Sequence, residues 1–170
     1  MSKKADDQKT IVVVGGGHAG IHVARNLSAK LDPAKHKLVL VNPLQYRIIL
    51  PAALRLVVSD ADNLDQTALV PYDKLFHNGN GTVVQDLVTA IHQDSGAQSG
   101  VLQLRSGERL SYDILVLATG AAWEGPIAFP DHPDQVKQFI AASRERYAKS
   151  NEFVLAGGGA VGIGKVHFIL

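Results

Sequence analysis

The sequence predicts an α/β fold in which parallel strands alternate with helices, because two glycine-rich loops each follow an apolar, strand-like run. The first glycine loop, residues 15–20, is Gly-Gly-Gly-His-Ala-Gly and follows Ile-Val-Val-Val at 11–14. The second glycine loop, residues 157–162, is Gly-Gly-Gly-Ala-Val-Gly and follows Phe-Val-Leu-Ala at 153–156. Both fit the pattern GxGxxG. One such loop is a weak signal, but two in strand–loop–helix context indicate two dinucleotide sites in series.

Around the first glycine loop, the pattern predicts one right-handed βαβ unit. Residues 1–9 are polar and are expected to form a flexible tail, and the apolar run at 10–14 is typical of a buried parallel strand. Apolar residues then recur at helical spacing over 21–31, and Asp32-Pro33 ends the helix. The second strand, 37–41, ends at Asn42-Pro43.

The remaining elements follow from shorter patterns. Short helices are expected at 51–58 and 72–76, and a strand is expected over 82–91 after the turn at 79–81. A hairpin joins 101–105 to 108–110 through Ser106-Gly107. A buried strand is predicted at 113–118, a helix at 134–149 and a last strand from Phe153.

Composition and charge exclude several classes of protein. The chain has 170 residues, enough for one well-packed domain but few for two. A net charge of +1 with dispersed Lys and Arg gives no reason to expect nucleic acid as a partner. The absence of cysteine excludes a redox-active disulfide and thiolate metal sites. No run reaches the ~20 apolar residues of a membrane span, and the polar start lacks a signal peptide, so the cytoplasm is the default location.

Each glycine of the first loop has a separate expected role. Gly15 permits the tight turn, Gly17 lets the backbone approach a pyrophosphate, and Gly20 lets the helix pack on the strand. Free N–H groups and the helix dipole then favour the phosphate charge. A carboxylate about 20 residues later normally bonds the ribose, but Asn42 stands there, which predicts weaker binding. The alternative is that Asn42 only starts the Asn-Pro turn.

No catalytic residue and no metal site are predicted. His18 lies inside the loop, where its ring is expected to face solvent or the edge of a cofactor. The other six histidines show no paired spacing with carboxylates that would form a metal site.

Four motifs occur in an order that resembles a known family: the first glycine loop, residues 51–55, the run Tyr-Asp-Ile-Leu-Val-Leu-Ala-Thr-Gly at 112–120, and the second glycine loop. Together they resemble the two-dinucleotide-binding flavoproteins of the pyridine nucleotide-disulfide oxidoreductase superfamily. The greatest similarity is to the apoptosis-inducing-factor-like group, with the ferroptosis suppressor proteins, and then to type II NADH dehydrogenases. The resemblance runs from about residue 10 to about 163.

The resemblance implies a Rossmann-like FAD-binding domain at 10–125 with a β-hairpin insertion, followed by the incomplete start of an NAD(P)H-binding domain at 126–170. Arg55 is expected to help hold FAD by charge-assisted hydrogen bonding. By position, the FAD contacts are Gly15, Gly16, Gly17, His18, Ala19, Gly20, Asn42, Arg55, Val83, Ala118, Thr119 and Gly120. The NAD(P)H contacts are Gly157, Gly159 and Gly162.

The implied activity is hydride transfer from NAD(P)H to the flavin, followed by electron delivery to a quinone-like acceptor. The lack of cysteine agrees with the quinone-reducing branches and argues against the disulfide-reducing ones. Beside a cytoplasmic location, the resemblance leaves open an association of the full-length protein with a membrane surface or the mitochondrion.

The chain also departs from the family pattern after its second loop. Gly164 stands where an acidic residue is expected, and the late Gly-Asp segment that holds the flavin is missing. We therefore expect a C-terminally truncated product. A catalytically inert dinucleotide-binding fragment or interaction module is the alternative. A single-Rossmann NAD-dependent dehydrogenase would leave the Ala-Thr-Gly run and the second loop unexplained.

Overall fold

The computed structural model describes residues 8–159 and Gly162. In chain order, the strands are β1 Lys9–Val14, β2 His36–Asn42, β3 Tyr46–Ile48, β4 Leu69–Pro71, β5 Thr82–Gln85, β6 Val88–His92, β7 Gly100–Leu104, β8 Arg109–Tyr112 and β9 Ile114–Leu117. The helices are α1 His18–Lys30, α2 Leu50–Leu56, α3 Leu64–Thr67 and α4 Pro133–Ala148. The expected tail at 1–9 lies outside the described residues except for Gln8 and Lys9, and Lys9 begins β1.

The chain forms two compact units. Among the described residues, the first unit contains 8–46 and 71–120, and the second contains 47–70, 121–159 and Gly162. Strands β3 and β4 form a two-stranded sheet. In the described part of the chain, every helix is too short or too polar to cross a membrane.

The first unit is built on a four-stranded sheet with the order β5-β2-β1-β9, in which every pair is parallel. Strand β1 lies in the middle, with Val12 opposite both Val39 and Leu115. Alternate side chains of β1 and β2 are buried on opposite faces, which explains their continuous apolar sequence. The predicted βαβ unit is confirmed, and with it the α/β fold class.

Different layers cover the two faces of this sheet. One face packs on α1, where Ala24 is fully buried, and on Tyr72 and Leu75. The other face packs on the antiparallel sheet β6-β7-β8 through Leu102 and Tyr112. The predicted hairpin forms the β7–β8 pair, with Leu102 opposite Leu110. The parallel sheet is thus the middle of three layers, and its carboxyl edge stays open for the glycine loop.

The single strand predicted over 82–91 is wrong. The structure has two strands there, and β5 joins the parallel sheet whereas β6 joins the antiparallel one. They separate at Asp86, whose carboxylate accepts the N–H of Leu87 at 2.7 Å. That local hydrogen bond turns the backbone out of the first ladder.

Two further predictions are corrected in this unit. The helix expected at 72–76 is a turn, followed by a 3₁₀ turn at His77–Gly79. The backbone N–H of Tyr72 bonds to Gln45 O at 3.3 Å, so the segment starts outside helical geometry. The strand expected to be buried at 113–118 is β9, where Ile114 is 47% and Leu117 60% exposed. Within the described residues β9 pairs on one side only, which explains the exposure.

The second unit is held together by α2, α3 and α4. Arg144 of α4 donates to Leu56 O at 2.9 Å and to both carboxylate oxygens of Asp65, at 3.0 and 3.3 Å. The helix expected at 134–149 is confirmed as α4. The strand expected from Phe153 is wrong, because the described residues of this segment join no ladder and Val154 is 96% exposed. A strand forms only where a neighbouring strand completes its hydrogen bonds.

Candidate dinucleotide site

The first glycine loop lies at the carboxyl edge of the parallel sheet, between the ends of β2 and β9. Gly15 has φ +103°, and its N–H donates to Val41 O at 2.9 Å. A Cβ at Gly15 would overlap the carbonyl group of Ala118, just after β9. A Cβ at Gly20 would overlap the carbonyl oxygen of Gly15. The tight turn and the close packing expected of these two glycines are therefore both present.

Gly17 is the open point of the loop. It is the N-cap residue of α1, with extended backbone at φ −73° and ψ −168°. A Cβ there would meet no described residue within 4 Å. No side chain of the described residues caps α1, and its first turn carries no acidic residue. The first backbone N–H groups of a helix have no partner within the helix. This helix start therefore offers free backbone N–H groups and the positive end of the helix dipole to an anion, which fits a pyrophosphate.

His18 and Ala19 are exposed on the first turn of α1. The ring of His18 packs edge-on against that of His22, with their centroids 4.5 Å apart. In the described part of the chain, no group of three or more His, Cys, Asp or Glu residues is placed to bind a metal ion.

Asn42 ends β2 and uses both ends of its side-chain amide within the protein. Its Oδ1 accepts the N–H of Gly16 at 2.8 Å, and its Nδ2 donates to Leu44 O at 2.8 Å. The bond to Leu44 lies within the Asn-Pro turn that the sequence offered as the alternative role. The expected ribose contact stays a prediction.

Tyr72 is a member of this site that the sequence analysis missed. Its side chain is 6% exposed, and its hydroxyl donates to the carbonyl oxygen of Gly16 at 2.7 Å. The two residues are 56 positions apart, and no spacing rule connects them. Both backbone polar groups of Gly16 are therefore hydrogen-bonded within the protein. Its predicted role in cofactor binding would be to shape the loop rather than to donate a hydrogen bond to the cofactor.

The other predicted FAD contacts fall in different places. Ala118 follows β9 beside Gly15, and its N–H donates to Val14 O at 2.9 Å. Thr119 and Gly120 continue from it and are exposed, with Gly120 at φ +75°. Val83 lies inside β5, opposite Leu40, and packs on the core. The carboxyl edge thus gathers the glycine loop, Asn42 and the segment after β9.

Arg55 belongs to α2 of the second unit. It forms an ion pair with Asp62, and about a third of its side chain is exposed. Asp62 and the next residue, Asn63, have φ values of +59° and +53°. Asparagine and aspartate tolerate this left-handed region better than most residues.

The second glycine loop repeats the closure of the first. Gly157 has φ +112°, and a Cβ at Gly162 would overlap the carbonyl oxygen of Gly157. Among the described residues, a Cβ at Gly158 or Gly159 would meet nothing within 4 Å. The expectation for Gly164 lies outside the described residues, as do those for the rest of 163–170.

Asp86 is a second residue of the carboxyl edge that the sequence analysis did not single out. Its backbone N–H donates to Asn42 O at 3.1 Å. The pKa of its carboxyl lies below the ordinary value of 3.8, first because of a hydrogen bond from the Ser106 side chain and then because of backbone N–H groups such as that of Leu87.

We expect this ionised carboxylate to stabilise the fold, and the effect to vanish in acid. Because its pKa is lowered on folding, the stabilisation is present above the unfolded-state pKa, near 3.8, and is lost as pH falls through the lower folded value. Asp86→Asn should therefore lower the free energy of unfolding at pH 7, measured by urea titration, by less than about 1 kcal/mol, because solvent screens a carboxylate this exposed. Once pH has fallen below the lowered folded-state pKa, the carboxyl is neutral in both states and the difference should disappear. A difference that grew in acid would contradict the assignment.

Comparison with known proteins also indicates a protein that binds dinucleotides. The family model described as pyridine nucleotide-disulphide oxidoreductase matches residues 9–164. The FAD-dependent oxidoreductase FVFD30 of Flammulina velutipes is 42% identical over 108 residues, which cover 64% of this chain and 33% of that protein. Apoptosis-inducing factor 1 of Saccharomyces cerevisiae is 31% identical over 155 residues, covering 90% of this chain and 38% of the relative.

Among solved structures, the sulfide:quinone oxidoreductase of Aquifex aeolicus matches with a TM-score of 0.55 and 26% identity, covering 83% of this chain and 33% of that one. This chain thus spans about a third of the length of each of these three relatives. The family match extends over nearly all of the chain and includes both glycine loops. The chain belongs to the pyridine nucleotide-disulphide oxidoreductase family, whose cofactors are FAD and NAD(P)H.

Proposed function

We propose that this chain is the FAD-binding part of an oxidoreductase that transfers hydride from NAD(P)H to flavin and electrons to a quinone-like acceptor. The observation that carries the proposal is the helix start at Gly17. Within the part of the chain that the structure describes, it has no side-chain cap and has open space on its outer side, at the carboxyl edge of a parallel sheet. In open α/β sheets, that edge is where nucleotides bind.

The residues around this helix start have separate roles in the proposal. The N–H groups of Gly17, His18 and Ala19 would hold the pyrophosphate, because they are the first donors of α1. Asn42 would approach the ribose and would offer it no charge. Ala118, Thr119 and Gly120 would border the cofactor from the β9 side. Arg55 would supply a positive charge to the same cofactor.

The second glycine loop is the proposed site of NAD(P)H, since it reproduces the closure of the first. FAD, when bound, supplies the two-electron chemistry, accepting a hydride and passing electrons on, while the protein positions the partners. A quinone-like acceptor is supported by the solved relative from Aquifex aeolicus, which is a sulfide:quinone oxidoreductase.

The second candidate is nucleotide binding without turnover. Two observations favour it over a chain that is active alone. The chain spans about a third of its relatives' length, and the described residues before the second loop join no sheet. In this case, FAD or ADP would bind at the first loop while the hydride transfer would need further segments.

The test separates binding from turnover. The 170-residue chain is purified, its visible spectrum is recorded, and FAD is titrated while flavin fluorescence is followed. Micromolar, saturable binding that ADP displaces would support the site at Gly17. NADH oxidation with a soluble short-chain quinone is then measured on the loaded protein. Binding with turnover supports the first candidate, and binding without turnover supports the second. No binding of FAD or ADP would overturn both.

A further inference from the structure

We propose that Tyr72 is a positioning residue of the first dinucleotide site: its hydroxyl locks the Gly16–Gly17 peptide so that the Gly17 N–H faces the ligand side. The inference rests on the proposed function and assigns a specific part of the binding geometry to a residue far away in the sequence. It starts from the hydrogen bond between the Tyr72 hydroxyl and Gly16 O, 2.7 Å long and buried.

The bond acts on one peptide group. The carbonyl of Gly16 and the N–H of Gly17 belong to the same planar unit, and they point in opposite directions because the described peptide bonds are trans. Holding Gly16 O against Tyr72 therefore directs the Gly17 N–H to the opposite side. At φ −73° the N–H and a Cβ on Gly17 would project to the same side, and that side is open, since the Cβ would meet nothing within 4 Å among the described residues.

The preceding peptide is fixed by a different side chain. The Gly16 N–H donates to Asn42 Oδ1 at 2.8 Å, and Asn42 is itself anchored to Leu44 O. The carbonyl of that same peptide is Gly15 O, which lies against Gly20. Two successive peptide planes are thus held from outside the loop, the first by Asn42 and the second by Tyr72.

Such anchoring is needed because glycine peptides rotate easily. Gly16 and Gly17 carry no Cβ, so little steric resistance opposes a flip of the peptide between them. A flipped peptide would turn the partial negative charge of Gly16 O toward the phosphates and remove one donor. A Cβ at position 16 would overlap the Tyr72 hydroxyl and lie 2.9 Å from Asn42 Cγ, so a side chain there would displace the anchors.

The second glycine loop has no counterpart of the Tyr72 contact among the described residues. A Cβ at Gly158, the residue equivalent to Gly16, would meet nothing within 4 Å among the described residues. The two loops share the glycine-to-glycine closure but differ in the contacts made by the middle glycine.

The test removes only the hydroxyl. In Tyr72→Phe the ring remains to fill the core, so the chain folds, but Gly16 O loses its donor. Isothermal titration of the 170-residue chain should show FAD and ADP binding about five- to tenfold more weakly, the scale of one net hydrogen bond. Binding of riboflavin, which has no phosphate, should not change. Tyr112→Phe is the matched control, since its hydroxyl faces Gln93 in the other layer, and it should leave all three affinities unchanged.

A measurement without ligand keeps the inference separate from the proposed function. In Tyr72→Phe the amide resonances of Gly16 and Gly17 should broaden or double, because the peptide exchanges between two orientations. If the wild-type chain bound neither FAD nor ADP, the proposed function would be contradicted. The amide resonances of Gly16 and Gly17 would still show whether the Tyr72 hydroxyl fixes the peptide between them. The inference is overturned if those resonances stay single and sharp, if ADP affinity stays within about twofold, or if riboflavin weakens equally.

Discussion

Gly17→Val is expected to abolish tight FAD binding while leaving the fold intact. The backbone of Gly17 is extended, with φ −73° and ψ −168°, a conformation that valine adopts readily. Its side chain would project into open space, so the protein itself offers no clash. That space is where a pyrophosphate would approach the first N–H groups of α1. We expect FAD and ADP affinity to fall at least tenfold, about 1.4 kcal/mol or more, by isothermal titration.

The control for this prediction is Gln98→Val, which adds the same side chain to the exposed connection between β6 and β7. Gly17→Val should lower the free energy of unfolding by about 1 kcal/mol at most, because valine is a poorer N-cap residue than glycine. Gln98→Val should unfold close to the wild-type midpoint, and only Gly17→Val should lose affinity. Undiminished FAD binding by a folded Gly17→Val chain would show that the cofactor does not approach this helix start.

Gly20→Ala should destabilise the first unit strongly, against the usual trend for helices. In an ordinary helix interior, replacing glycine by alanine gains about 1 kcal/mol. Here the added methyl group would overlap the carbonyl oxygen of Gly15, which is backbone and cannot rotate away. We expect the free energy of unfolding to fall by about 3 kcal/mol, the upper range for overpacking. Urea unfolding followed by circular dichroism measures it.

Gly17→Ala is the matched control, because it makes the same change on the same loop where a Cβ meets nothing within 4 Å. It should cost about 1 kcal/mol at most, the difference between glycine and alanine as N-cap residues. If instead Gly20→Ala raised the urea midpoint, the close approach of α1 to Gly15 would be refuted.

The parts of the fold that the sequence predicts correctly are those with local signals. The apolar runs of β1 and β2 and the helical spacing of α1 are contained in about 30 residues, and glycine spacing alone indicates the closure between Gly15 and Gly20. These features do not depend on distant parts of the chain. The outline of the candidate site therefore follows from local sequence alone.

The errors have a common physical cause, which is tertiary context. Periodicity at 82–91 indicates extended backbone but not the change of sheet at Asp86. The apolar β9 resembles a central strand, although it pairs on one side only among the described residues. Tyr72 contacts a glycine 56 residues away, and no local rule relates the two positions. The run at 153–156 has strand composition, yet the described part of the chain provides no neighbour for it.

In both loops the close contact between two glycines joins residues five positions apart, Gly15 to Gly20 and Gly157 to Gly162. The anchors of the first loop come from Asn42 and Tyr72, which are 26 and 56 positions from Gly16. If the glycine loop alone were duplicated within a gene or transferred to another protein, it would still form its turn. It would lack the hydrogen bonds that Asn42 and Tyr72 make to Gly16. Inheritance of the motif and inheritance of its binding geometry are separate events, and new surroundings must supply the second.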